Sequence, residues 1–369
     1  MMKKTATITF HAAHNYGSNL QAYALQQTIL RLGYVNEIIN LRTKRQTDLY
    51  TVFTKRKGIK YVFKNLSHLL YYFPLKRAYD KFEDFINNKL IITKEYATEE
   101  ELKNADLNYD LYVTGSDQIW NPVPADFDWA YYLTFVSKGT KISYAPSFGQ
   151  LASKGDAKTR ARISDALKDF DALSVREQGS ADNVAQLIGR TPQIVLDPTL
   201  LLTKEQWLKL VENKKQLVKG NYIFFYTLFA DPQRMNIIKK ISNIIGLPVV
   251  TSNFSNQYDV FNPFIKRYDA GPLDFLTLIR DAKLVVVSSF HGTVFSTLFN
   301  VPFFAIDGMS DARISTLLKI TGLEEREITS PTVEEKCKEA YSIDFNRVNK
   351  RIDIARKPSI EFLKKSLEL

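Results

Sequence analysis

The chain of 369 residues is 45% hydrophobic and 24% charged, the balance of an ordinary globular protein that is long enough for two cores. Its one cysteine, Cys337, excludes an internal disulfide framework and a multi-cysteine metal site, and no apolar run reaches the roughly eighteen residues needed to span a membrane. A formal charge of +10 invites an anionic partner, but most of that charge proves to be local.

The opening MMKKTATITF continues as a strand rather than as a secretory leader, so a cytoplasmic location is expected. Thr5 to Phe10 β-branches and alternates like a first strand, and HAAHNYGSN then leads into a helix predicted from about Leu20 to Leu32. Ala22, Leu25, Ile29 and Leu32 supply its buried stripe and Gly33 its stop. Gly17 would permit the turn, with Ser18 or Asn19 as the N-cap. A loop at a strand's carboxyl end is a ligand-loop candidate, which puts His11, His14 and Asn15 forward; a solvated or capping role competes. Val35 to Leu41 completes a β-α-β unit.

Between Arg42 and Lys81 stand eleven Lys or Arg against two acids, Asp48 and Asp80, which accounts for nine of the ten net charges. Tyr50, Phe53, Tyr61, Phe63, Tyr71, Tyr72 and Phe73 are interleaved with them. That mixture suits anionic headgroups or a lipid-linked substrate. Helix-spaced aromatics ordinarily pack inward, and a solvated basic insertion with its aromatics in the core is the favoured expectation. No recognised nucleic-acid module accompanies the charge, so nucleic acid is not an expected partner.

LYVTGSDQIWN, Leu111 to Asn121, reads as a short strand that breaks at Gly115 and delivers Asp117 to its end. Asp117 can act as a base toward a hydroxyl or cap the turn that carries Trp120. Lys141 to Ala145 is another strand, followed by a helix from about Ala157 to Phe170. ALSVRE then places Arg176 just past a strand, where a guanidinium can hold carboxylate or phosphate bidentately, or pair structurally with Glu177. QIVLDPTLLL is a further short strand stopped by Asp197-Pro198. These segments make one α/β domain.

From about Lys204 the alternation restarts: strand Tyr222 to Thr227, helix Pro232 to Ile245, strand Pro248 to Thr251 and helix Leu273 to Asp281. LVVVSSFHGTVFSTLFNVPFFAID, Leu284 to Asp307, follows as buried strand, short loop, helix opened by Gly292, and second buried strand. His291 falls at the carboxyl edge of the sheet, and Gly292 would let a ligand approach a helix N-terminus suited to anions. A merely hydrogen-bonded histidine explains the pattern equally. Arg313 starts the helix after the next strand, one strand spacing of about 5 Å away. The tail, about Phe345 to Leu369, reads as helix interrupted at Pro358 that packs back on the first domain. No HxxxH or Cys-His spacing occurs among His11, His14, His68 and His291, so no metal site is expected.

HNYGSNLQAYAL, YVTGSDQIWN, LSVRE, VLDPTLLL and SSFHGTVFSTLFNVPFFAI with its Arg-containing helix start, in that order over residues 14 to 320, resemble the polysaccharide pyruvyl transferase family. The resemblance implies a GT-B-like α/β fold of two Rossmann-like domains facing a cleft. Residues 1–203 would form the acceptor side, with the basic-aromatic insertion at about 42–81, and residues 204–369 the donor side. It implies transfer of the enolpyruvyl carbons of phosphoenolpyruvate onto two sugar hydroxyls, forming a pyruvate ketal for a capsule or other exopolysaccharide and releasing phosphate. Phosphoenolpyruvate is then a donor substrate and no cofactor is implied. The acceptor would be a sugar or lipid-linked oligosaccharide, with contact to an anionic membrane as a further expectation.

In that chemistry His291 is the acid that protonates the methylene carbon and Asp117 a base. Arg176, Arg313, Ser288, Ser289 and Gly292 would bind the donor, and His14, Asn15 and Gly17 the acceptor. Many family members carry an arginine two residues before the histidine; Ser289 stands there, so that donor cation is either missing or supplied from elsewhere, with Arg313 as the candidate. His291→Ala and Arg176→Ala are each expected to abolish turnover with the fold intact. A nucleotide-sugar-dependent GT-B glycosyltransferase and a non-catalytic carbohydrate-binding relative are the alternatives.

Overall fold

A computed structural model describes residues 3–54, 58–149, 156–253 and 262–369. Of the basic segment, Lys55, Arg56 and Lys57 and the side chains of Lys60, Phe63 and Lys64 lie outside the described residues. Contacts divide the chain into two units. The first is Met1–Leu66, Glu83–Leu202 and Ala355–Leu369; the second is Ser67–Phe82 and Thr203–Ile354.

The first unit is built on five parallel strands: β1 (Lys4–Ile8), β2 (Val35–Leu41), β3 (Ile92–Tyr96), β4 (Leu111–Thr114) and β5 (Thr140–Ser143), in the order β3-β2-β1-β4-β5. β4 (LYVT) is buried along its whole length, as is β1 after Lys4, as strands covered on both faces must be. Thr5 pairs with Leu111 and Ile8 with Thr114, so the two strands end at the same level. A short pair, β6 (Ser174–Val175) and β7 (Gln193–Ile194), continues beside β5 through a bridge from Ile142 to Ala172. Trp120, fully buried, stacks on Tyr132 with ring centres 5.5 Å apart and anchors the loop after β4 in the core.

The second unit repeats the plan with β8 (Ile223–Tyr226), β9 (Val249–Thr251), β10 (Ile265–Lys266), β11 (Leu284–Val287), β12 (Phe303–Ile306) and β13 (Glu327–Ile328), all parallel, in the order β10-β9-β8-β11-β12-β13. IFFY, LVVV and FFAI are buried throughout, which is why continuous apolar runs rather than alternation announce them. β3, β10 and β13 escape sequence detection because they are edge strands, short or half-exposed.

Several local expectations are corrected. The first helix spans Tyr16–Arg31, four residues earlier than predicted, because Asn15 rather than Ser18 or Asn19 is its N-cap: Asn15 Oδ1 accepts from Gly17 N at 2.9 Å and Ser18 N at 3.3 Å. Gly17 therefore sits in a helical first turn and not in a loop. The tail is one helix, Phe345–Glu368, with Pro358 inside it. The carbonyl that proline leaves without its helical donor belongs to Ile354, an exposed residue that water can serve. Beyond it Ser359 Oγ accepts from Leu196 N, and Leu363 and Leu367 join the first unit's core. Cys337, whose polar sequence neighbours (EEKCKEA) suggest a helix surface, is buried instead against the second unit's core. In the basic segment, Tyr50 is half-buried against the His14 ring, but Phe53 and Phe73 are exposed, contrary to the expectation that its aromatics pack inward.

His11 is fully buried, its ring nitrogens meeting Thr9 O at 3.2 Å and Asn40 Oδ1 at 2.9 Å. Burial pushes its pKa below the ordinary histidine value, against the two hydrogen bonds that favour the charged ring. It is thus a core histidine, and the sign of its linkage follows. The unfolded chain takes up the proton below pH ~6.5 while the folded chain resists, so this stability is present above that pH and lost as pH falls through the depressed folded value. Thermal melts between about pH 5 and 7 are expected to show a wild-type Tm that falls with acidity more steeply than that of His11→Asn.

Candidate functional site

In an open parallel sheet, ligands bind beyond the carboxyl ends of the strands where the strand order reverses. In the first unit that point lies between β1 and β4, and in the second between β8 and β11.

At the first unit's reversal point the loop after β4 carries Asp117, whose backbone has φ 77°, a left-handed conformation that costs a non-glycine residue free energy and often marks a functional turn. Gly115 before it has φ 140°, and a Cβ there would lie 1.9 Å from Tyr144 O, so only glycine fits. Asp117 is held from both sides of the crevice: Oδ2 accepts from Ser18 Oγ at 2.8 Å, Oδ1 accepts from Gln118 N at 2.9 Å, and its carbonyl accepts from Ser147 N. Arg176 Nη2 lies 3.7 Å from Oδ1.

Arg176 itself is 4% exposed. Its Nη1 donates to Asp197 Oδ2 at 2.8 Å, and Nε is 3.5 Å from Glu177 Oε2. The carboxylates of Asp197, Glu177 and Asp117 outweigh burial and hold the guanidinium pKa above its ordinary value. Asp197 in turn accepts from Thr199 N and Oγ1 at 3.0 and 2.6 Å. The guanidinium's charge is therefore already matched inside the first unit, and its geometry is that of an organiser of loop ends.

His14 Nε2 meets Glu83 Oε1 at 2.8 Å, and its ring stacks on Tyr50. Arg42 Nη1 donates to the same carboxylate at 2.9 Å. Burial works against the Glu83 carboxylate, but the His14 hydrogen bond and the Arg42 charge hold its pKa below the ordinary value. Asn15 spends its side-chain oxygen on the helix cap, and Gly17 contributes a capped N–H. Of the three acceptor-side candidates, His14 alone presents a functional side chain, and it is oriented by Glu83.

At the second unit's reversal point Ser288 Oγ and Thr227 Oγ1 are 2.7 Å apart across the ends of β11 and β8. Asn253 Nδ2 donates to Thr227 O at 3.0 Å. Ser289 is the N-cap of the helix Phe290–Leu298, which opens two residues before the predicted Gly292; its Oγ accepts from Gly292 N. That explains a serine here on structural grounds. His291 lies in the first turn of this helix, which contains no acidic residue, and is 7% exposed. Gly292 turns its bare Cα toward the sheet: a Cβ would stand 2.8 Å from Val287 Cγ1 and 3.5 Å from Tyr226 Cδ1. The glycine lets the helix pack on β8 and β11, in place of the expected approach of a ligand.

Arg313 Nε and Nη2 donate to the two oxygens of Asp311 at 3.0 and 2.6 Å, and Asp311 caps the helix Ala312–Thr321. Burial opposes the Asp311 carboxylate, but Arg313 and the helix N–H groups hold its pKa below the ordinary value. Arg313 thus enters the site as half of a bidentate pair whose side chains remain about a quarter exposed, at 23% and 25%.

Sequence reasoning missed Ser18, Glu83 and Asp197, the groups that orient Asp117, His14 and Arg176. Only Asp197 left a signal, the Asp-Pro step at a strand end. Among the described residues no three His, Cys, Asp or Glu side chains are grouped to hold a metal ion.

A family model described as polysaccharide pyruvyl transferase matches residues 15–308. No curated protein matches the chain. Among solved structures, UDP-GlcNAc 2-epimerase from Neisseria meningitidis, bound to UDP-GlcNAc, has a TM-score of 0.57 at 10% identity, with 98% of this chain and 100% of that chain covered. The UDP-GlcNAc 2-epimerase from Methanocaldococcus jannaschii, in complex with UDP-GlcNAc and UDP, has 0.55 at 13% identity over 96% and 99%. UDP-N-acetylglucosamine 2-epimerase from Rickettsia bellii has 0.51 at 9% identity over 100% and 98%. At such identities the likeness concerns the fold: an α/β protein of two Rossmann-like units of GT-B type.

Proposed function

The chain belongs to the polysaccharide pyruvyl transferase family, and on that premise we propose that it moves the enolpyruvyl group of phosphoenolpyruvate onto two hydroxyls of a sugar in surface-polysaccharide synthesis. The observation that carries the reading is the position of His291. An imidazole stands in the first turn of a helix, beside the Ser288–Thr227 pair, where the second unit's sheet reverses its order. A helix N-terminus favours an anion, and an acid beside it can protonate a neighbouring carbon of that anion.

His291 delivers a proton to the methylene carbon of phosphoenolpyruvate, and the adjacent carbon becomes electron-poor. One sugar hydroxyl adds there and loses its proton. A second hydroxyl of the same sugar then displaces phosphate, the carbon–oxygen bond to phosphate breaking as the ring closes. The two hydroxyl protons balance the one gained by the methyl group and the one carried by the departing phosphate. Arg313 and the N-terminus of the 290–298 helix serve the donor's charges, and Asp117 with the Glu83-oriented His14 serves the acceptor. Arg176 acts through Asp117 as a positioning group.

Ligand-dependent stabilisation separates this from the nucleotide-sugar alternative. Phosphoenolpyruvate is expected to raise Tm while UDP-, GDP- and CMP-sugars leave it unchanged. A shift with a nucleotide sugar alone would assign the fold to glycosyl transfer, and a shift with none of them to carbohydrate binding.

A further inference from the structure

The helix Ile59–Leu70, within the basic segment, exposes the side that a soluble protein would bury. Ile59, Val62, Leu66, Leu69 and Leu70 are between 58% and 77% exposed. At about 100° per residue these five fall within a stripe roughly 100° wide along one helix face, the width of a face that docks on something apolar. Phe73, in the first turn of the following helix Tyr72–Lys89, is 73% exposed as well. Isolated exposed apolar side chains need no explanation; five in register on one helix do.

What covers the stripe follows from charge. The helix belongs to the stretch from Arg42 to Lys81 that holds eleven Lys or Arg against two acids in the sequence. Lys60 and Lys64 belong to the helix itself, and Arg77 in the next helix is exposed. A second copy of this chain would bring the same positive charge to the contact and repel it. An anionic bilayer supplies both the apolar interior and the negative surface, each basic residue near the surface adding to attraction that salt screens. Among the described residues no helix is long and apolar enough to cross a membrane, so the mode is lying on the surface rather than spanning.

We propose that the 59–70 helix is an interfacial anchor that inserts its Ile59, Val62, Leu66, Leu69 and Leu70 face into the headgroup boundary of an anionic phospholipid bilayer. Docking by this face is independent of the donor substrate, and vesicle binding reads it without any measurement of activity. The full chain is sedimented with phosphatidylcholine vesicles containing phosphatidylglycerol and with vesicles of phosphatidylcholine alone, at low and at high salt. Partition into the anionic vesicles is expected to exceed that into neutral ones by at least about tenfold, to fall with salt, and to be lost in the Val62→Ser, Leu66→Ser, Leu69→Ser, Leu70→Ser variant.

Because the replaced residues are exposed, the variant's Tm is expected to match the wild type. A second probe covers the case in which it does not: Leu66→Trp is expected to show blue-shifted indole emission on addition of the anionic vesicles. Wild-type protein that stays in the supernatant, a polar variant that binds as well as wild type, or an emission spectrum of Leu66→Trp that the vesicles leave unshifted overturns the proposal. So does a wild-type dimer by light scattering that the polar variant converts to monomer without any vesicle binding, since the face would then cover a second copy.

Discussion

Replacing His291 with Gln is expected to lower kcat for phosphoenolpyruvate-dependent transfer by about 10²–10⁴-fold, the range that a positioned general acid supplies, while Tm and the phosphoenolpyruvate-induced shift in Tm are retained. Glutamine keeps a hydrogen-bonding side chain in the first turn of the 290–298 helix but cannot deliver a proton. The helix N-terminus, the Ser289 cap and the Ser288–Thr227 pair are untouched by the change. Binding of the donor anion should therefore survive, and the loss should fall on kcat rather than on KM. Full activity in His291→Gln would remove the acid from the proposed reaction; equal loss of activity and Tm would make the histidine a packing residue.

The second large effect is on stability. Arg176→Ala is expected to destabilise the protein by about 3–5 kcal/mol at neutral pH, read from urea unfolding, since it strips the guanidinium from a buried group of carboxylates. Asp197 is 1% and Glu177 5% exposed, and Asp117 completes the group. Without the guanidinium their negative charges stand buried together with no cation between them. Arg176→Lys is expected to rescue little, because a single ammonium cannot reach Asp197, Glu177 and Asp117 as one planar fork does. Sequence alone predicts an inactive but intact Arg176→Ala protein; a buried, triply paired guanidinium makes instability the primary effect. A variant as stable as wild type would contradict this.

The difference shows where sequence is informative. Buried parallel strands declare themselves as unbroken apolar runs, so IFFY, LVVV and FFAI, and the helices between them, are legible, and with them the two-unit α/β plan. Residues at strand ends are legible as positions but not as roles. Arg176 reads as an available cation because nothing in one dimension brings Asp197, twenty-one residues on, against it, and Arg313 reads as a lone cation because the sequence does not show that Asp311 pairs with it bidentately. Gly292 reads as a ligand approach because a glycine opposite Val287 and Tyr226 looks the same in sequence as a glycine opposite a phosphate. Pro358 reads as a helix break because the sequence does not show that Ile354 faces solvent. The exposed stripe of the 59–70 helix has the opposite cause: its periodicity is that of a core helix, and only the structure shows that no core covers it.

An enzyme-borne proton that reaches the methylene carbon of phosphoenolpyruvate as a sugar captures the adjacent carbon leaves a label when the solvent is D₂O. Mass and NMR analysis of the product formed in D₂O from phosphoenolpyruvate and a panel of glycosides reads that label directly. The expected product is a sugar carrying one cyclic pyruvate ketal with a single solvent deuterium in its methyl group, alongside one released phosphate. A glycoside left unchanged by phosphoenolpyruvate but extended by a nucleotide sugar, or a ketal whose methyl group carries no deuterium, would contradict it.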